Sequence, residues 1–205
     1  MIPIVLLAQR PAPVDNEWTR VVVANTRPGP KGGLHKHDFN RVMIYLDEGV
    51  NHLEFQDGPI KDIRFKPGEV VWDTKGGMHT SQNTGTGPFR VVEVELRKNG
   101  GEVQWPAGDP VKVAPQLYKV ELDNAQVRVL RVKLAPHQKI PEHEHKLPRV
   151  IVPLTEIQIE MTAPDGTKNT VSGKPADALF APPAKHREEN LRDQPVELLV
   201  VEFKG

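Results

Sequence analysis

The sequence predicts an all-β protein of two tandem barrels, and three observations lead there. Short β-branched or alternating runs recur along the whole chain of 205 residues, separated by turn signals drawn from twenty prolines and sixteen glycines. No amphipathic pattern longer than about three helical turns interrupts them. Finally, the second half repeats the first.

The opening run MIPIVLLA is apolar but broken by Pro3. It falls well short of the roughly 20 apolar residues that cross a bilayer, so no membrane partner is expected. It reads as an N-terminal strand docking on a neighbouring sheet or, lacking a basic n-region, as the tail of a signal peptide. The expected location is the cytoplasm, or the periplasm or exterior if a signal peptide has been removed. The 27 basic and 27 acidic residues balance, which gives no pull toward polyanions and argues against nucleic acid as a partner. The absence of cysteine excludes disulfides.

Strands are expected at RVVVAN, RVMIYL, EVVW, RVVEVEL, VRVLRVKL, RVIVPL, IQIEMT and VELLVVEF. Residues 14–48 align with 121–156. Asp15, Asn16, His35, His37 and Arg41 match Asp123, Asn124, His143, His145 and Arg149 at an offset of 108. His79, Asn83 and Glu95 match His186, Asn190 and Glu202 at an offset of 107. Two barrels of about 100 residues follow, 1–103 and 104–205, divided within KNGGEVQWPAGDP. The GTG and KGG stretches are turns, because no helix follows to make a phosphate cradle. Exposed strands are expected to pair two copies into a homodimer.

Alternation along a strand puts His35 and His37 on one face, and likewise His143 and His145. A third histidine from another strand, His79 or His186, would complete a trio of imidazoles inside each barrel. Such a trio suits Zn, Fe, Cu or Ni and leaves positions open for water, substrate or dioxygen. A lone His-x-His is more often a surface pair, but the same spacing to a third histidine and an asparagine occurs twice. His52 and His137 read as surface residues, with the mouth of the second barrel an alternative for His137. Glu142 and Glu144 should face away from the trio. KHREEN reads as solvated apart from His186. Tyr45 and Trp72 read as core packing or as lining of the first cavity.

The motifs GPKGGLHKHDFNR with KPGEVVWDTKGGMHTSQN, and HQKIPEHEHKLPR with KPADALFAPPAKHREEN, resemble the two motifs of the cupin superfamily, and the whole chain looks like a bicupin. The resemblance implies two double-stranded β-helix (jelly-roll) barrels. In the second copy His137 stands in place of Gly29, and Pro175-Ala176 replaces Pro67-Gly68. RVIVPLTE and RVMIYLDEG are also similar to small cupins associated with β-alanine degradation.

Arginine is the departure from that pattern. Many metal-binding cupins carry a coordinating glutamate four residues after the second histidine, where this chain has Arg41 and Arg149. A guanidinium offers only donors. At about 6 Å, with an effective dielectric near 20, it would repel a divalent ion by roughly 5 kcal/mol. Three arrangements resolve this. The arginine pairs with a carboxylate, Glu95 or Glu93 in the first barrel and Glu202 in the second; or it faces the cavity and orients an anionic substrate beside a metal; or no metal binds, and the histidines and arginine form a polar pocket. The expectation is a metal held by His35, His37 and His79, or by His143, His145 and His186, without an acid ligand, with Arg41 or Arg149 catalytic. Cupins of that kind resemble the thiol and diketone dioxygenases, which implies an Fe(II) oxygenase acting on a small anionic molecule, with Zn, Mn or Ni as other candidate metals. The competing class is a non-catalytic binding or sensing cupin.

Overall fold

The computed structural model describes residues 13–205; the MIPIVLLA run lies outside them. Nine strands fill the first half: β1 Val14–Asp15, β2 Thr19–Thr26, β3 His35–His37, β4 Arg41–Tyr45, β5 Gly49–Phe55, β6 Ile60–Phe65, β7 Val70–Asp73, β8 Gly76–Asn83 and β9 Phe89–Leu96. A four-residue helix, α1 (Pro110–Val113), precedes nine more: β10 Tyr118–Asp123, β11 Val127–Leu134, β12 Lys139–His145, β13 Arg149–Pro153, β14 Ile157–Thr162, β15 Lys168–Gly173, β16 Leu179–Ala181, β17 Ala184–Asn190 and β18 Val196–Phe203. All eight expected runs are strands.

Among the described residues each half builds one five-stranded and one four-stranded sheet, and none of these sheets mixes the halves. The orders are β1-β2-β9-β4-β7 with β3-β8-β5-β6, and β10-β11-β18-β13-β16 with β12-β17-β14-β15. The repeat read from the sequence is therefore a repeat of topology.

The largest apolar cluster lies between the barrels. Val42, Ile44, Val92 and Val94 of the first five-stranded sheet pack against Val127, Val129, Val150 and Val201 of the second. The central strands β4, β13 and β18 of these sheets are covered on both faces, so they are near-continuous apolar runs rather than strict alternations. The inward faces differ. The second barrel holds Leu130, Ile140, Ile157, Ile159 and Leu198, whereas the first has a small aromatic cluster of Tyr45, Phe65 and Phe89. Tyr45 stacks on Phe65 at 3.7 Å, and Trp72 packs against the inter-barrel cluster.

The repeated asparagines close turns. Asn16 Oδ1 accepts from the backbone N–H of Trp18 and Thr19, as Asn124 Oδ1 does from Gln126 and Val127. Asn190, fully buried, donates to the Ala135 and Gln194 carbonyls and accepts from the Arg192 N–H. Asn83 makes the matching bonds to Thr26, Gly87 and Gly85. Asn190→Ala is expected to cost about 2–3 kcal/mol, measured by denaturant unfolding, because it orphans buried backbone groups.

The substitution of Ala176 for glycine also has a backbone consequence. Gly68 has φ 79° and Ala176 keeps the same left-handed turn at φ 80°, which an L side chain adopts only at a cost. Ala176→Gly is expected to raise stability by about 0.5–1 kcal/mol in the same measurement.

Candidate metal centres

Both histidine trios assemble. His35 pairs directly with His79 across β3 and β8, and His143 with His186 across β12 and β17, so the third histidine comes from the adjacent strand of the same sheet. Ring centroids lie 4.6–5.3 Å apart in the first trio and 4.7–5.6 Å apart in the second. A register shift falls beside each pair; such irregularities re-aim side chains at functional sites.

Backbone carbonyls fix several rings. His35 Nδ1 lies 2.9 Å from the Gly33 carbonyl, His79 Nδ1 2.9 Å from Gly77 and His143 Nδ1 2.9 Å from Pro141. A ring donating from Nδ1 presents an unprotonated Nε2, the form that binds metal. Burial, followed by the charge of Arg41, pushes the His37 imidazole down to about 4. Burial likewise lowers His143, and burial with Arg149 holds His145 well below the ordinary range. These three rings are uncharged at neutral pH.

The second site has a member the sequence reading missed. Glu188 sits two residues beyond His186 on β17, so its side chain joins the same face. Its Oε1 lies 3.0 Å from His186 Nε2 and its Oε2 accepts from the Tyr118 hydroxyl at 3.3 Å. Burial raises this carboxyl, but the His186 hydrogen bond and, in the acid range where those rings are protonated, the charges of His143, His186 and His145 together bring it down to about 2. KHREEN is therefore not simply a solvated run: His186 is buried and the Glu188 side chain is 14% exposed. The His-x-Glu spacing was the available signal. Glu142 does face outward, bonded to Lys185.

The donor sets fit a divalent transition ion. Ligand atoms of His35, His37 and His79 lie within 4.8 Å of one another, as do those of His143, His145, His186 and Glu188. Bonds of about 2.0–2.2 Å to one shared centre hold ligand atoms at most about 4.4 Å apart, so small side-chain adjustments bring each group onto a single ion. His186 Nδ1 is buried with no hydrogen-bond partner. The second site thus departs from the expectation of three histidines without an acid.

The two arginines have different fates. Arg41 is bound by Asp73 and by Glu93, the latter at 2.5 Å, so its charge is offset by carboxylates, though not by Glu95. In the second barrel the matching strand positions are Ala181 and Val200. Arg149, 1% exposed, donates to the Pro182 carbonyl at 2.6 Å and forms no ion pair within 4.0 Å among the described residues. Glu202 is not its partner; that carboxylate is taken by Arg128 and His145. Conversely, Glu188 stands where the first barrel has Ser81. A small cavity of about 20 Å³ brings Arg149, His145, Glu188 and Tyr118 together against aliphatic side chains including Ile151 and Ile159. The Tyr118 phenol is pushed well above its ordinary range by burial and then Glu188, so it remains a neutral donor.

His52 and His137 lie outside both groups. His52 bonds Asp62 and Glu54, and exposed His137 bonds Asp193.

No family model matches the chain. A curated oxalate-binding protein of Thermotoga maritima is 38% identical over 69 residues, 33% of this chain. The chain spans about half the length of that relative, 53%. Among solved structures, AerE from Microcystis aeruginosa superposes with TM-score 0.68 at 13% identity, over 91% of this chain and 88% of its own. The oxalate decarboxylase of Bacillus subtilis, described with Mn(II) centres, superposes with TM-score 0.64 at 13% identity, over 92% of this chain and 69% of its own. No helix among the described residues is long and apolar enough to cross a membrane.

Proposed function

Because the chain is a bicupin in fold, with one acid-containing donor set and one buried arginine left without a carboxylate, we propose that its second barrel holds a divalent metal and binds a small carboxylate anion beside it. The observation that carries this reading is the contrast between Arg149 and Arg41. A buried guanidinium is costly without a directly paired carboxylate; the first barrel supplies Asp73 and Glu93, whereas in the second Glu188 and Glu202 act on Arg149 only at a distance. A ligand carboxylate would supply the direct pair there, in a bidentate contact with Arg149. The name of the oxalate-binding relative and the Mn(II) of the decarboxylase support an anionic ligand and a divalent ion.

His143, His145, His186 and Glu188 would hold the ion, which as a Lewis acid or oxygen-binding centre supplies the polarising or redox chemistry. Glu188 is ionised at neutral pH. Tyr118 offers a neutral hydroxyl beside it. Aliphatic side chains make much of the wall, and a cavity of about 20 Å³ is roughly what one water fills, so the anion is one of few atoms and the lining must give to admit it. The likeness to three-histidine dioxygenases rested on the absence of an acid ligand; Glu188 removes that ground here, and it persists only for the first barrel, where Arg41 is already neutralised. An oxidoreductase acting on the bound anion remains our reading of the activity.

The test begins with tag-free protein reconstituted with Fe(II), Mn, Ni or Zn. At least one ion per chain should be retained, and Glu188→Gln should weaken the ion of the second barrel by about 10–100-fold in chelator competition. Less than about 0.1 ion per chain ends the metal reading. Oxygen uptake and product release are then followed with small carboxylates, thiols and diketones. Saturable anion binding without turnover of any of them would favour a binding module, as the relative's name suggests.

A further inference from the structure

We infer that Glu202 is a positioning residue for the second centre, and that the stretch joining the two barrels holds it in place. This rests on the metal reading above for its consequence but not for its geometry. Glu202 is fully buried and each of its oxygens has one task. Oε1 lies 2.9 Å from His145 Nδ1, and Oε2 accepts from Arg128 Nε at 2.6 Å.

Arg128 is itself gripped from the joining stretch. Its Nη2 donates to Asp109 Oδ2 at 2.7 Å, and its guanidinium carbon lies 3.3 Å from the centroid of the Trp105 ring. Asp109 also caps α1 through the Val111 N–H, and the neighbouring Gly108 carbonyl accepts from Glu144 N, between the two histidines of β12, at 2.7 Å. Residues 105–109 therefore brace both Arg128 and the ligand strand. In the first barrel Glu95 lies opposite Arg20 and Arg41 in the ladder, as Glu202 lies opposite Arg128 and Arg149, yet His37 makes no hydrogen bond to it.

The chemistry follows from donor and acceptor counts. An ionised Glu202 accepts from both neighbours, so His145 carries its proton on Nδ1 and turns an unprotonated Nε2 to the cavity. A glutamine at 202 can satisfy Arg128 Nε only with its oxygen. Its amide N–H then faces His145 Nδ1 and forces the ring proton onto Nε2, where it blocks a metal.

The experiment uses the full chain carrying His79→Ala, so that only the second donor set titrates. The tautomer of His145 is read by nitrogen-15 NMR without metal, and Zn(II) affinity by chelator competition. Glu202→Gln is expected to move the proton from Nδ1 to Nε2 and weaken Zn(II) by about 10–100-fold. Asp109→Asn keeps an N-cap residue of equal rank and should give a smaller loss in the same direction, which provides the test should Glu202→Gln not fold. An unchanged His145 tautomer with Zn(II) affinity within about twofold in the folded variants would overturn the positioning role. A tautomer change in a protein that binds no Zn(II) in any form supports the positioning role and sinks the metal reading instead.

Discussion

Arg149→Met is expected to lower the affinity of the metal-loaded protein for small carboxylates by about 100-fold, the equivalent of about 2.7 kcal/mol and within the range for a charge-assisted contact. Metal content should hold or rise, because a positive charge is removed from beside the ion. The substitution also leaves Glu188 and Glu202 without the positive field of Arg149, which acts on Glu202 along with Arg128. Folding must therefore be checked by unfolding in the same buffer. Calorimetric titration with acetate, oxalate and a neutral amide of equal size reads the effect. Equal affinities of wild type and variant for the anions would remove the assignment of Arg149, and preferential binding of the neutral amide would remove the anionic ligand.

Arg41→Met should do something different in kind. Arg41 is buried and tied to Asp73 and Glu93, and burial already raises the Glu93 carboxyl. Removing the cation leaves that carboxylate unpaired. Breaking a fully buried pair costs about 3–5 kcal/mol; since the Asp73 side chain is 40% exposed, about 2–3 kcal/mol is the expected loss here. For a chain of this size that lowers Tm by roughly 5–10 °C. Anion affinity at the second barrel should not change. Arg41→Met with Glu93→Met, which removes both charges, should recover most of the loss. A stable Arg41→Met protein that instead loses anion binding would reverse the roles assigned to the two arginines.

Seven of the eight runs lie in the five-stranded sheets, whose central strands are packed on both faces and need β-branched residues; the eighth, IQIEMT on β14, lies in a four-stranded sheet and is legible from its own alternation. Strands such as β5, GVNHLEF, and β15, KNTVSG, are not, because their own sequences carry polar residues without a clean alternation. The Asp-Asn and His-x-x-x-Asn repeats mark the duplication. The hydrogen bonds of Asn16, Asn83, Asn124 and Asn190 give them a physical role in closing turns. Glu188 was within reach of the same rule that grouped His143 with His145, and was passed over because the charges around it suggested a solvated face.

By itself the sequence determined which side chains share a face, because alternation along a strand is local: two duplicated barrels and two His-x-His pairs follow from it. It did not determine which carboxylate meets which arginine. That depends on which strands become neighbours and in what register, and those contacts join residues as distant as Arg41 and Glu93, or His145 and Glu202. Only the tertiary structure could decide that Arg41 is neutralised by its own barrel while Arg149 reaches a cavity without a carboxylate partner, since a charge in a dry interior is governed by its few nearest groups rather than by the balanced charge of the whole chain.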